Sequence, residues 1–435
     1  STRPCARRPM ISADLVVAGC RELLTCAGPL PRRGRDLEEV GLVADGWAAS
    51  SKGVVVYAGD EEGFRRNVAP EPGAVTVDGT GMVALPGFVD AHTHLPFAGD
   101  RAREFGLRVR GWTYQQLAER GMGILTTVKA TRAASRDELV ALTLRRLDRM
   151  LLHGTTTVEA KSGYGLNLED ERKQLEALRD AAARHPVDIV PTFMGAHEVP
   201  PEHRDRREDY VRLLVEKVVP EIARRGLAEF FDVFSEPGVF SIEETRRLVE
   251  AAKAAGFKIK VHADEFVAQG GAELAAEAGA ASAEHLIAVT DEGIARLASS
   301  DTAAVLLPGV SFFLMMDRRA PARKLVEAGA AVALATDFNP GSSHLFSMPF
   351  VLQLGVFTLG LTVEEAVNAC TGNAAFAVRR HATVGSLEPG KKMDLVLCDV
   401  PDHVSLAYEA GRNPVRTVIK DGKVVVEDGR PVYRR

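Results

Sequence analysis

The sequence has few cysteines and lacks a long apolar run. Its 435 residues include five cysteines, none of them in a Cys-x-x-Cys motif. This pattern argues against a disulfide framework and against a zinc site built from thiolates, and it favours a reducing cytoplasm. No apolar stretch approaches the roughly 20 residues that a membrane-spanning helix needs. We therefore expect a cytoplasmic protein without a membrane partner.

An excess of positive charge is also missing. The 54 lysines and arginines are outnumbered by 59 aspartates and glutamates, which gives a net charge of −5. A general nucleic-acid binder needs a basic surface to neutralise phosphates, so we expect no nucleic-acid partner. Apolar residues make up 46% of the chain and charged residues 26%, and these proportions are typical of a globular protein.

Both ends of the chain have the pattern of short strands joined by turns. The Asp421-Gly422 pair lies between alternating apolar residues and is a strong hairpin signal. We predict that residues 1–85 and 381–435 are the two halves of one small β-sandwich, with residues 86–380 inserted between them. The strand-like segments are 13–19, 53–59, 74–85, 393–400 and 415–429.

The middle of the chain alternates between β-rich runs and helical patterns. Residues 135–154 and 241–256 both begin with a capping box, Ser-x-x-Glu, and end on glycine. Apolar strands separated by amphipathic helices indicate a parallel sheet, and eight such units predict a (β/α)8 barrel. The alternative is a doubly wound open sheet, but no Gly-x-Gly-x-x-Gly follows an early strand. The eight β-rich runs are 86–94, 155–163, 188–197, 230–236, 258–265, 282–287, 303–309 and 331–338.

Polar residues cluster where the predicted barrel strands end, which is where the active site of such a barrel lies. His92 and His94 are alternate residues of the first strand, so both imidazoles can face the barrel axis. An isolated His-x-His is more often a surface pair, but here His262 and Asp337 lie at the ends of other strands. Three imidazoles and one carboxylate form a ligand set suited to zinc or iron.

Two further groups are candidates for proton transfer. Glu265 lies three residues after His262, and its alternative role is that of an acidic residue at a helix N-terminus. His285 lies in the sixth strand, and its alternative role is that of a buried histidine bonded to backbone. Lys161 ends the second strand, and the sequence leaves open whether it is a carboxylated lysine that bridges two metals.

Rim loops also carry candidate substrate-binding residues. Arg101 could bind a substrate carboxylate through two hydrogen bonds, or it could form a surface salt bridge with Asp100 or Glu104. A histidine such as His197 could hydrogen-bond a carbonyl or stabilise an oxyanion. The remaining candidates have ordinary turn chemistry as their alternative role, and they are Tyr164, Asn339, Gly341 and Ser342.

The candidate residues together indicate a metal-dependent hydrolase. A bound cation lowers the pKa of water from about 15.7 towards about 7 and polarises a carbonyl. Glu265 would take the water proton and later donate it to a leaving nitrogen. This chemistry predicts hydrolysis of a C–N bond or deamination.

The motifs PGFVDAHTHL and GSLEPGKKMDLVLCD resemble those of the amidohydrolase superfamily, metal-dependent barrels with a small β-sandwich from both chain ends. Further motifs are similar to those of the branch that hydrolyses the ring amide of 4-imidazolone-5-propanoate to N-formimidoyl-L-glutamate in histidine degradation. These motifs are HTHLPFAGDRAREF, EAKSGYGL, FMGAHEVP, HADEF, LLPGVSFFL and ATDFNPGSS. The chain departs from the expected pattern at residues 121–123 and 344–346.

The resemblance implies a ligand set, a substrate site and an assembly. One Zn²⁺ or Fe³⁺ per subunit would be held by His92, His94, His262 and Asp337, and Lys161 would not be carboxylated. The substrate would carry a carboxylate tail, and a homodimer is expected. The residues that the resemblance places on substrate or product are Arg101, Tyr164, His197, Glu265, Asn339, Gly341 and Ser342.

Two other functions are weighed against this hypothesis. The first is deamination of a purine, pyrimidine or triazine ring on the same scaffold, but a neutral heterocycle does not need the carboxylate-binding Arg101. The second is a catalytically inactive barrel that serves as an assembly scaffold. That function predicts missing metal ligands, whereas the sequence contains the full set.

Overall fold

The computed structural model describes residues 10–112, 116–117 and 120–433. Its centre is an eight-stranded parallel sheet in which each strand pairs with the next one along the chain. The first and last strands meet at their carboxyl ends, where Asp337 N–H donates to the His92 carbonyl (3.0 Å) and His94 N–H donates to the Phe338 carbonyl (2.9 Å). The predicted (β/α)8 barrel is therefore confirmed. Its strands are Phe88–Asp90, Thr155–Lys161, Asp188–Ala196, Phe230–Ser235, Lys258–Ala263, Ser282–His285, Ala303–Leu306 and Val332–Leu334.

Helices follow the barrel strands and cover the outside of the sheet. The helices Arg136–Leu152 and Ile242–Ala254 begin at the predicted capping boxes, and both boxes are fully formed. Among the elements that the structure describes, the other α-helices are Glu61–Asn67, Ala102–Val109, Ile124–Ala133, Leu168–Ala182, Arg207–Leu213, Val219–Arg224, Gly271–Glu277, Asp291–Ala298, Pro308–Phe313, Ala322–Ala328, Met348–Leu359, Val363–Cys370, Gly372–Ala377 and Ser405–Tyr408. A π-helical turn spans Leu214–Val218, and two 3-10 helices span Gly34–Glu38 and Pro201–His203.

Both chain ends contribute strands to one further sheet of nine strands, as predicted for the small β domain. Leu15 and Val17 from the amino-terminal part share a buried cluster with Leu395 and Ile419 from the carboxyl-terminal part. The Asp421-Gly422 turn connects two antiparallel strands, which confirms the hairpin. The domain limits at residues 85 and 381 stay a prediction. The strands are Ile11–Leu24, Leu42–Ser51, Val54–Gly59, Val68–Asp78, Val83–Pro86, Leu395–Cys398, Val415–Lys420, Lys423–Glu427 and Arg430–Pro431.

Two predictions from composition concern thiols and membrane helices. Cys20, Cys26, Cys370 and Cys398 are buried free thiols, while Cys5 lies outside the described residues. Within the described ranges, no helix combines the length and the apolar character that crossing a bilayer requires.

Candidate active site at the carboxyl end of the barrel

The four predicted metal ligands come together at the carboxyl end of the barrel. One ligand atom from each of His92, His94 and His262 lies within 4.8 Å of the other two. Asp337 Oδ1 is 3.3 Å from Nε2 of His92 and 3.3 Å from Nε2 of His94. All four side chains are buried. The structure thus places a compact set of nitrogen and oxygen donors where the sequence predicts a cation site.

Several buried atoms of this cluster have no hydrogen bond among the described residues. They are Nε2 of His92, Nδ1 of His94 and Oδ1 of Asp337. Buried polar atoms in folded proteins nearly always have a partner, so a cluster of atoms without one is typical of a site that binds an ion or water. Imidazole nitrogens and a carboxylate oxygen are suitable ligands for zinc or iron. The residues present therefore fit a single bound cation.

Two carboxylates that the sequence analysis missed fix the orientation of the histidines. Glu284 Oε2 is 2.8 Å from Nδ1 of His92, and Asp232 Oδ1 is 3.0 Å from Nδ1 of His262. A carboxylate that accepts from Nδ1–H leaves Nε2 as the free ligand atom. A signal was present in the sequence, since each is an acidic residue within a short barrel strand.

Two buried lysines neutralise these carboxylates. Lys161 Nζ lies 2.8 Å from Asp232 and 2.8 Å from Glu159, and Lys260 Nζ lies 2.9 Å from Glu284. Burial alone would lower the pKa of Lys161, but the carboxylates around it raise that pKa above its ordinary value. A charged ammonium held between two carboxylates is not available for carboxylation. Lys161 thus stabilises Asp232, the partner of His262, and this environment favours the expectation that it does not bridge two metals.

Backbone strain marks the same rim. His285 and Asp337 have φ values of 71° and 51°, in the left-handed region that non-glycine residues rarely adopt. Strain of this kind costs of order 1–3 kcal/mol per residue and is concentrated at functional sites. The turn at Asp337 lets its backbone pair with His92 while its side chain faces the histidine cluster.

The two proton-transfer candidates lie beside each other. Glu265 Oε2 is 3.6 Å from Nε2 of His285, and both side chains are buried. Burial, together with the charges of Asp337 and Glu236, raises the pKa of Glu265 well above its ordinary value. A cation bound at the neighbouring cluster opposes this shift, because positive charge favours the carboxylate form. Glu265 is thus placed to exchange a proton next to the cation site.

The hydrogen bonding of His197 defines the tautomer of its ring. Its Nδ1 is 3.0 Å from the Gly163 carbonyl, which only accepts, so Nδ1 carries the proton. Burial, with smaller effects from His94 and His262, lowers the pKa of His197 well below its ordinary value and keeps the ring neutral. Nε2 is then an acceptor. In this tautomer Nε2 suits a hydrogen-bond donor of a ligand, and contact of His197 with the substrate stays a prediction.

A cavity of about 830 Å³ opens above the histidine cluster and is lined by the predicted substrate-binding residues. Arg101 lies in its wall, where Nε donates to Glu104 Oε2 at 2.8 Å, so its expected ion-pair alternative is present as well. Tyr164 packs its ring 5.3 Å from that of His197. Most of the polar rim was predicted from the sequence, but Glu104, Arg108 and Glu236 were not predicted as lining residues. The predicted residues that line this cavity are His94, Arg101, Tyr164, His197, His262, Glu265, His285, Asp337, Asn339, Gly341 and Ser342.

The loop after the eighth strand is organised by Asn339. Its Nδ2 donates to the Asp337 carbonyl (2.7 Å), and its Oδ1 accepts from the N–H groups of Gly341 and Ser342, both at 2.8 Å. These contacts are the turn chemistry expected as the alternative role of this loop. Gly341 allows close packing, because a Cβ there would collide with the Arg101 guanidinium. Contact of these residues with substrate stays a prediction.

A comparison with protein families matches residues 83–425 of the chain to the amidohydrolase family. This range spans the barrel and strands of the terminal sheet. The chain therefore belongs to the amidohydrolase family.

Its curated relatives place it, within that family, among the imidazolonepropionases. It is 53% identical over 427 residues to an imidazolonepropionase of Symbiobacterium thermophilum, covering 98% of this chain and 100% of the relative. It is 50% identical over 419 residues to an imidazolonepropionase of Geobacillus kaustophilus, with 96% and 99% covered.

Solved structures of more distant proteins share the fold. An adenosine deaminase from Xanthomonas campestris with bound zinc superposes with a TM-score of 0.71 at 20% identity, covering 98% of this chain and 96% of its own. An atrazine chlorohydrolase from Arthrobacter aurescens complexed with zinc gives a TM-score of 0.71 at 16% identity, with 97% of both chains covered. At these identities the likeness establishes the fold alone.

Proposed function

We propose that this protein hydrolyses the ring amide of 4-imidazolone-5-propanoate to N-formimidoyl-L-glutamate, a step of histidine degradation. The observation that carries the proposal is the cluster of His92, His94, His262 and Asp337 below a cavity lined by Glu265 and Arg101. The similarity to imidazolonepropionases over nearly the whole chain supports the same reaction.

The cation proposed for this site is one Zn²⁺ or Fe³⁺ per subunit. The unpartnered Nε2 of His92 and Oδ1 of Asp337, with His94 and His262, supply its donors. A cation bound there supplies Lewis acidity, which polarises a carbonyl and acidifies water. Glu284 and Asp232 keep His92 and His262 in the tautomer that such binding requires.

Glu265 carries the proton in the proposed reaction. In its carboxylate form it accepts a proton from the attacking water and then donates that proton to the ring nitrogen as the C–N bond breaks. The carbonyl carbon gains the water oxygen and becomes a carboxylate as the second water proton passes to solvent, and the nitrogen leaves as part of the formimidoyl group. His285, 3.6 Å from Glu265, positions that carboxylate in the low-dielectric cavity.

The rim residues orient the ring and its carboxylate tail. His197 presents an unprotonated Nε2, which suits a ring N–H of the substrate. Tyr164 keeps its hydroxyl proton, because burial and the charge of Asp337 raise its pKa. The positive wall that includes Arg101 suits the propanoate group of the proposed substrate.

The proposal extends to the setting in which the enzyme works. Four buried free thiols support a reducing cytoplasm as its location. We propose a homodimer that acts on a small molecule without a nucleic-acid or membrane partner. Sedimentation velocity tests the assembly, with a dimer mass expected and a monomer mass contradicting it.

Turnover of 4-imidazolone-5-propanoate, measured beside guanine and cytosine, tests the reaction. We expect loss of the imidazolone with formation of N-formimidoyl-L-glutamate and no ammonia release from the two bases. Deamination of either base at a comparable rate, with the imidazolone unchanged, would assign the site to the alternative deaminase function.

A further inference from the structure

The cavity wall contains a second guanidinium that the sequence analysis did not assign. Arg101 precedes the helix Ala102–Val109, and Arg108 lies in the last turn of that helix. Both arginines line the cavity that contains the histidine cluster. The guanidinium groups of Arg101 and Arg108 therefore lie on the same wall of the cavity.

The two guanidiniums differ in how their donors are used. Arg101 is paired with Glu104, whose Oε2 accepts from Arg101 Nε at 2.8 Å and from the N–H of Gly123 at 3.0 Å. Arg108 donates through one Nη1 hydrogen to the Gly341 carbonyl at 3.2 Å. Its Nε and Nη2 are buried without a hydrogen-bond partner in the described part of the chain. Leaving such donors unpaired is costly, especially on a charged group.

The surroundings hold Arg108 in place and leave its charge unbalanced. Its Cζ lies 5.7 Å from the ring centroid of Phe105 and 5.4 Å from that of Phe313, which is the geometry of a cation–π contact. The carboxylate of Glu104 is already shared between Arg101 and a backbone N–H. The charged residues that this helix and its N-cap place in the cavity are two guanidiniums and one carboxylate, which is a local excess of one positive charge. A ligand with an anionic tail would balance it.

We propose that Arg108 binds the carboxylate tail of the substrate and makes the enzyme selective for an anionic tail. This inference rests on the proposed hydrolysis of imidazolonepropanoate and adds a binding residue to it. The paired free donors Nε and Nη2 form the edge of a guanidinium that binds a carboxylate through two parallel hydrogen bonds. Arg101 supplies additional positive charge, but its own Nε is committed to Glu104.

The test compares 4-imidazolone-5-propanoate with its neutral propanamide analogue. The measured quantity is the ratio of kcat/KM for the carboxylate to kcat/KM for the amide. Arg108→Gln should lower this ratio by about 10- to 100-fold, mainly through KM for the carboxylate, because it removes a charge-assisted contact from one substrate only. Arg108→Lys should restore part of the ratio. Arg103→Gln removes an exposed charge from the same helix and should leave the ratio unchanged.

Each other outcome overturns the inference or the function on which it rests. An unchanged ratio in Arg108→Gln would contradict tail binding, and so would an equal loss of turnover for both substrates, which would assign Arg108 to the structure of the wall. Failure of the unmodified enzyme to hydrolyse imidazolonepropanoate would instead overturn the proposed function. An assay of the unmodified enzyme with imidazolonepropanoate distinguishes the two failures, because only the failure of the proposed function abolishes its turnover.

Discussion

At the scale of single residues, the site consists of charged groups that depend on one another. Glu284 and Asp232 accept hydrogen bonds from two histidines, and Lys260 and Lys161 neutralise those carboxylates. Burial alone would raise the pKa of Glu284, but Lys260 and His92 hold that pKa below its ordinary value. The carboxylate therefore stays ionised and keeps accepting from the imidazole.

Removal of either histidine-orienting carboxylate should weaken metal binding. Glu284→Gln and Asp232→Asn keep the shape of the side chain but remove its charge, so we expect the affinity for Zn²⁺ to fall about 10- to 100-fold. Competition with a chelator measures this affinity. Glu292→Gln, on an exposed helix surface, serves as the control and should bind like the unmodified protein. Equal affinities in all four proteins would show that the carboxylates do not act on the ligands.

Glu265→Gln should separate proton transfer from metal binding. The amide cannot accept a proton, so kcat should fall by about 10²- to 10⁴-fold while the metal content stays at one per subunit. Steady-state kinetics and metal analysis of the same preparation measure the two quantities. A near-normal kcat would remove Glu265 from the role of base.

The sequence reveals the metal ligands more readily than their partners. His92 and His94 are found by the alternation of a strand, and His262 and Asp337 by their positions at strand ends. The partners of these ligands depend on which strands are neighbours in the barrel. The Arg101–Glu104 pair was foreseen only as a surface alternative, because sequence spacing does not show that the pair is in a cavity wall.

At the scale of secondary-structure elements, the capped helices followed their sequence patterns closely, whereas the barrel strands were shorter than predicted. The first β-rich run was predicted over residues 86–94, but regular pairing spans Phe88–Asp90. Beyond it, the backbone of His92 and His94 bonds to Asp337 and Phe338 in an isolated parallel bridge and not in a continuous ladder. The pattern of apolar residues does not reveal where regular strand pairing ends and the residues of the site begin.

The loop after the eighth strand offers a test at the same scale. Gly341→Ala introduces a Cβ that collides with the Arg101 guanidinium, so Arg101 or the loop must move. We expect KM for imidazolonepropanoate to rise about tenfold or more, while metal content is unchanged. Gly106→Ala, where a Cβ meets no atom within 4 Å, is the matched control. An unchanged KM in Gly341→Ala would mean that this close packing does not shape the substrate site.

At the scale of the whole molecule, a buried ion-pair network joins the terminal sheet to the barrel. Lys420 Nζ lies 3.0 Å from Asp394 of the same β domain and 2.9 Å from Asp188, the first residue of the third barrel strand. The side chain of Lys420 is only 1% exposed, and that of Asp394 is 3% exposed. The amino-terminal end of the barrel is thus tied to residues from the end of the chain, opposite the catalytic rim.

Loss of this lysine should destabilise the whole protein without changing the chemistry. Lys420→Met leaves Asp394 buried without its cation, and we expect the free energy of unfolding to fall by about 3–5 kcal/mol. Urea denaturation measures the loss, and kcat of the folded variant should be normal. The double variant Lys420→Met/Asp394→Asn should recover part of it. A double variant no more stable than the single one would show that the uncompensated charge is not the cause.

The central claim is that one cation held by three imidazoles and an aspartate activates hydrolysis of the imidazolone ring. The most direct measurement follows the disappearance of 4-imidazolone-5-propanoate under anaerobic conditions, before and after metal removal with a chelator and after return of one equivalent of Zn²⁺ or Fe³⁺. The account predicts that turnover is lost with the metal and restored by one equivalent per subunit. Full turnover by the metal-free protein, or no turnover by the metal-loaded one, would contradict it.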